Sequence, residues 1–160
     1  MKTLTLTKKI VLDYLQKYRL MVIATYGSFP WIASVYYSYD NNLNLYFLSS
    51  PDTLHVKQIK MNEKVAVAIV DSHQKVTDLK KGLQISGIAE EINGANKIKH
   101  ALRLWKDTLN IVNPNYSYEG MMKKLIKGRM FKITPHKIKL FDQNMFKVED
   151  GQEPVLNIKK

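Results

Sequence analysis

A chain of 160 residues is the size of one domain, and such a domain buries roughly 70% of the surface its unfolded form exposes. Hydrophobic residues make up 45% of it, which excludes disorder, and the absence of cysteine excludes disulfides and thiolate chemistry and suits a reducing cytoplasm. The formal charge of +11, from 25 basic and 14 acidic residues, raises the question of a polyanionic partner. Only Arg19, Arg103 and Arg129 are arginines, however, and the lysines are scattered along the whole chain. Proteins that read nucleic acid concentrate arginine and aromatic residues on one element. The sequence alone therefore favours a compositional bias over a nucleic-acid partner, and it leaves room for a phosphorylated small ligand. No run approaches the length of a membrane span, and Met1 to Thr5 lack a signal-peptide core, so neither insertion nor export is expected.

In chain order, Thr7 is placed to cap a helix reaching about Arg19, with Ile10, Val11, Tyr14, Leu15 and Tyr18 on one face. Leu20 to Tyr26 is too short and too β-branched for a helix and reads as a strand. A turn at Gly27 to Pro30 leads into Trp31 to Tyr39, in which Ile32, Ser34, Tyr36 and Ser38 alternate with Trp31, Ala33, Val35, Tyr37 and Tyr39. Asp40-Asn41-Asn42 is a turn signal, and Leu43 to Ser49 returns as the third strand. A short helix over Thr53 to Met61 precedes the almost continuously apolar Val65 to Val70, expected as a central strand. After a loop, Gly82 to Ile92 forms a fifth strand that Gly87 interrupts, as at a bulge or barrel bend. Helices follow over Ala95 to Asn110 and Tyr116 to Lys127. The last strand runs from Met130 to Ile133 and, past Pro135, from Ile138 to Phe141; from Asp142 onward the chain reads as a polar, extended tail. The order predicts a single α+β domain over residues 1–160, with a core about 7–147 and hairpins arranged as a closed, six-stranded antiparallel barrel.

Many enzyme classes have no counterpart in these residues. There is no G-x-S-x-G elbow, no glycine-rich phosphate loop and no H-E-x-x-H, and His55, His73, His100 and His136 lie too far apart for metal-ligand spacing. No acid and base pair can be nominated, so any chemistry is expected to come from a bound cofactor.

Five stretches carry a family resemblance. They are Ala24-Thr25 with Pro30-Trp31 and Val35-Tyr36-Tyr37; Leu45 to Ile59, read L-Y-F-L-S-S-P-D-T-L-H-V-K-Q-I; Asn62 to Ile69; and the later segments G-L-Q-I-S-G-I-A-E-E-I and F-K-I-T-P-H-K-I-K-L-F-D. Over roughly Thr7 to Lys147 the chain resembles the pyridoxamine-5′-phosphate-oxidase-like, FMN-binding split β-barrel superfamily, and most of all its YhbP-type branch. The resemblance implies a homodimer with FMN in two symmetric grooves at the subunit interface. It puts Ser34 and Val35 beside the isoalloxazine, Ser49, Thr53, His55 and Lys57 at the phosphate, Gln84 at the ring or ribityl chain, and Phe146 and Lys147 in the partner's groove. A helix N-terminus, hydroxyls and basic groups suit a phosphate dianion on physical grounds alone. The chain departs from true pyridoxamine-phosphate oxidases at Ala33 and at Leu54-His55, and it lacks their C-terminal substrate-binding arginines and histidine. A flavin-dependent oxidoreductase other than that enzyme is therefore expected. The alternatives are a non-catalytic barrel holding another small ligand such as haem, and a basic nucleic-acid-associated protein.

Overall fold

Seven strands and four helices make up residues 4–159, the part of the chain described by this computed structural model. Thr7 opens α1 (Lys8–Leu15): its Oγ1 accepts from the Ile10 N–H at 3.3 Å, and Val11, Tyr14 and Leu15 turn inward. The helix stops short of the expected Arg19. That arginine instead folds back, donating to the carbonyls of Gln16 at 2.7 Å and Tyr18 at 2.9 Å, acceptors that the helix end leaves open.

β1 (Leu20–Tyr26) pairs antiparallel with β2 (Pro30–Tyr39) from Leu20↔Tyr36 to Tyr26↔Pro30, and β2 pairs with β3 (Leu45–Ser49). On its other side β1 meets β4 (Lys64–Val70), then β5 (Lys81–Glu91) and β6 (Arg129–Asp142) follow. The β3–β6 ladder, Leu45↔Ile133 to Ser49↔Arg129, closes these six strands into an antiparallel barrel. α2 (Leu54–Met61) joins β3 to β4 and packs against β1, β2 and β5.

The core follows the strand period of two. Met21 and Ile23, Val65, Val67 and Ile69, Leu83 and Ile85, and Ile138 and Leu140 all point inside. β4 is the central strand its apolar run suggests, paired with β1 and β5, and only one of its faces is buried; Ala66 and Ala68 face outward. α3 (Ala95–Leu109) and the single-turn α4 (Tyr118–Met122) lie between β5 and β6 and build a second cluster from Tyr46, Ala101, Leu102, Trp105, Met121 and Met130. The second helix is far shorter than the expected 116–127: Lys124 takes a left-handed φ of 57°, which ends it.

Two features of β6 complete the architecture. Ser86 faces Lys137 but Gly87 faces Pro135, so His136 is an extra residue, and the proline, which has no N–H for a ladder, sits at that bulge. Beyond the bulge β3 no longer covers β6. There β7 (Val155–Asn157) takes the edge, with Lys137↔Asn157 and Lys139↔Val155 as partners, and the Ile158 N–H donates to the bulged His136 carbonyl at 3.0 Å. The expectation of an extended tail after Asp142 is corrected here. Phe146 is buried, Leu156 and Ile158 pack on the core, and the segment hides a strand edge that would otherwise be open to another chain.

A Cβ on Gly87 would lie 2.5 Å from the Thr134 backbone carbonyl, where no flexible side chain can yield. Gly87→Ala should therefore cost about 1–3 kcal/mol of folding stability. Equilibrium urea unfolding measures it, and an unchanged midpoint would mean the bulge has room to spare.

Candidate functional site

β3 ends at Ser49, and a tight turn sends the chain back into α2. The Thr53 N–H and the Thr53 hydroxyl both donate to the Ser50 carbonyl, at 3.2 and 2.7 Å, while Ser50 Oγ accepts from the Asp52 N–H. This turn brings the His55 Nε2 to 2.6 Å from Ser49 Oγ and 3.3 Å from Thr53 Oγ1. Thr53 has already given its only hydroxyl proton to Ser50, so it can meet the imidazole only as an acceptor; Ser49 can donate or accept. Because Thr53 is occupied in this way, no side chain caps the first turn of α2. Arg129 stands directly opposite Ser49 on β6, so both side chains leave the same face of the sheet. Sequence reasoning missed it, since the two residues are 80 positions apart and only barrel closure pairs them.

Ser49, Thr53 and His55 are thus brought together as expected, but Lys57 lies on the exposed side of α2, away from them. His55 is only 7% exposed, and desolvation lowers its pKa from the usual 6.5.

A second region lies on the outer face of the sheet. A groove of about 510 Å³ is floored by Val22, Ala24, Ile32, Ala66 and Ala68 and edged by Gln84, Ser86, Lys137 and Lys139. The small side chains of Ala66 and Ala68 leave it open. An adjoining cavity of about 430 Å³ shares Val22 and Ala68 and is lined also by Ser34 and His73. Around both, Leu20, Ile32, Tyr36 and Val70 leave between 44% and 67% of their surface exposed, an unusual apolar area for a sheet face. Of the expected ring contacts, Ser34 and Gln84 lie on this face. Val35 does not: its side chain is in the barrel interior, so it offers only backbone here. Phe146 is likewise part of its own chain's core and not free to enter a partner's groove, whereas Lys147 is exposed. Ser49, Thr53 and His55 do not line the groove, so one chain does not unite the two regions. Among the described residues no three His, Asp or Glu side chains gather as a metal site, and no helix is long and apolar enough to cross a membrane.

The lowered His55 pKa has a stability consequence of definite sign. The unfolded chain takes up the proton more readily than the folded one, so the contribution is intact above about pH 6.5 and is lost as pH falls below it. His55→Gln should flatten the fall in stability between about pH 7 and pH 5. Thermal unfolding at a series of pH values tests this, and an unaltered slope would assign the acid sensitivity to other groups.

No protein-family model matches the chain, and no curated protein matches its sequence. Solved structures do match. The conserved hypothetical protein Rv2991 from Mycobacterium tuberculosis is 10% identical with a TM-score of 0.73, over 100% of this chain and 96% of that one. A candidate pyridoxamine 5′-phosphate oxidase from Listeria innocua is 20% identical with a TM-score of 0.64, over 84% and 97%. HutZ, the haem storage protein from Vibrio cholerae, is 12% identical with a TM-score of 0.65, over 86% and 95%. With its closed six-stranded antiparallel barrel, a further strand and four helices, the chain has the split-barrel fold of the pyridoxamine-5′-phosphate-oxidase-like proteins.

Proposed function

We propose that the protein binds FMN between two copies of the chain and acts as a flavin-dependent oxidoreductase whose substrate is not pyridoxamine phosphate. The observation that carries this reading is the open apolar groove edged by Gln84, Lys137 and Lys139 on an exposed sheet face. A flat ring system needs an apolar floor and a few polar groups at its edge, which is the composition of this groove. When bound, FMN supplies the hydride or electron transfer, and the chain supplies position and electrostatics.

Each residue then has a physical task. Gln84 offers an amide donor and an acceptor to the polar rim of the ring, and Ser34 offers a hydroxyl. Ser49, His55 and the uncapped first turn of α2 offer donors that fit a phosphate, Thr53 joins them when its hydroxyl turns from the Ser50 carbonyl to the ligand, and Arg129 adds a cation beside Ser49. Lys57 contributes longer-range charge. Since the groove and the phosphate donors are separate within one chain, a two-fold dimer through the exposed apolar face is the arrangement that would join them.

A haem reading has narrower support. HutZ and a haem-binding protein from Mycobacterium smegmatis share the fold, and His73 lines the cavity beside the groove. On that reading His73 is the residue to bind iron, because the His55 Nε2 is buried against Ser49.

The optical spectrum of the protein as isolated separates the two: a flavin band in the blue supports FMN, and a Soret band supports haem. Colourless protein whose fluorescence is not quenched by added FMN would sink the flavin reading. His55→Ala with Lys57→Ala should weaken FMN binding more than Lys80→Ala with Lys81→Ala, which removes lysines elsewhere; equal losses would point to general electrostatics. Arg129→Gln should weaken FMN by roughly tenfold or more, the scale of one charged hydrogen bond. Light scattering should show a dimer, and Ile32→Glu should abolish both the dimer and FMN binding; a monomer that still binds FMN would overturn the shared groove.

A further inference from the structure

The segment between β5 and β6, residues 92–128, carries seven lysines and arginines against two acidic residues, a net +5 of the chain's +11 in under a quarter of its length. The lysines paired with carboxylates, Lys9, Lys60, Lys132 and Lys139, all lie elsewhere; among the described residues none of these seven cations is in an ion pair. Three of them share one stripe of α3. Lys99, Arg103 and Lys106, at i, i+4 and i+7, line a cleft of about 200 Å³ whose opposite wall is Tyr116, Ser117 and Tyr118, with Asp107 as its one acidic neighbour. The Lys99 ammonium lies 5.5 Å from the centre of the Tyr118 ring, so this π-face already receives a cation, and Tyr116 is braced from behind by Trp105 at 5.8 Å. Within one short stretch of chain, α3 and the segment that opens α4 bring arginine, lysine and aromatic rings around one small cleft.

We propose that this α3–α4 cleft is a binding site for single-stranded nucleic acid, with Lys99, Arg103 and Lys106 on consecutive phosphates and Tyr118 under a base, on the ring face that Lys99 uncovers when it turns to a phosphate. The stripe is about 10 Å long, enough for more than one phosphate. Unpaired cations displace the counterions condensed on a nucleic-acid backbone, and that release drives such binding. A single strand can bend its backbone into a concave cleft of this size and lay a base on a ring, whereas a duplex is too wide to enter. The site stands apart from the groove and does not depend on the flavin reading.

The test is fluorescence anisotropy of the full chain with labelled oligonucleotides of about 12 residues, as single-stranded DNA, single-stranded RNA and duplex DNA, across a salt series. At least one single strand should bind, more tightly than duplex. The triple variant Lys99→Gln, Arg103→Gln, Lys106→Gln should weaken it about tenfold or more and lower the slope of log affinity against log salt by about 2. The control triple Lys64→Gln, Lys75→Gln, Lys80→Gln removes equal charge from exposed sites outside the segment and should leave most of the affinity. Tyr118→Ala should weaken binding about fivefold or more while Tyr118→Phe keeps it, with thermal unfolding confirming that both fold; should Tyr118→Ala not fold, the comparison of the two triples decides. No binding of either single strand, tighter binding of duplex, or equal losses in the two triples would each overturn the proposal.

Discussion

Everything that positions the two candidate sites depends on five residue pairs, the β3–β6 ladder from Leu45↔Ile133 to Ser49↔Arg129. Without it the sheet is an open strip with two bare edges; with it the strip becomes a barrel. At the centre of the ladder Phe47 and Phe131 stack with ring centres 5.2 Å apart, and both are fully buried. The same closure sets Arg129 beside Ser49 and turns the β5–β6 insertion back over Tyr46 and Met130. Residues 80 or more positions apart must meet before any of this exists. Such closure has a large entropic cost and is characteristic of slower-folding β topologies.

The Ser49–Thr53–His55 cluster is balanced against its surroundings. Burial works against an imidazolium there, while the hydroxyls and the uncapped helix turn are suited to an anion. A phosphate bound there would stabilise the imidazolium that burial disfavours, so under the proposed function ligand binding and ring protonation would favour one another. The groove on the outer face is built on the opposite principle, by omission. Ala66 and Ala68 stand where larger β-formers would fill the trough, and Lys137 and Lys139 border it.

Much of the barrel was legible because its signals are local. Alternation, the Asp40-Asn41-Asn42 turn and Gly87 identified strands and the bulge from neighbouring residues alone, and Thr7 announced its cap. Misplaced features were those decided at a distance. The α1 end is set by the Arg19 guanidinium, which reaches across to the Thr108 carbonyl as well, and the polar look of the last residues concealed Phe146, Leu156 and Ile158 among charged neighbours. The site divides the same way. Ser49, Thr53 and His55 lie within seven residues, so spacing could group them, whereas Arg129 and the Lys99–Arg103–Lys106 stripe facing Tyr118 become visible only through tertiary structure. Val35 is one step of the strand period from Ser34, which turns its side chain to the interior and leaves its backbone on the side that the resemblance implies.

The C-terminal segment does more than cover an edge. Glu153 lies 3.1 Å from the ammonium of Lys139, a residue that also borders the outer groove, and β7 begins two residues later. An anion that recruits Lys139 must compete with Glu153 for it. Occupancy of the groove and attachment of the last strand are therefore thermodynamically linked: whatever loosens the strand makes a cation available, and whatever takes the cation loosens the strand, by the same modest free energy in both directions. A stretch that reads as an afterthought in the sequence thereby becomes a built-in competitor for the ligand.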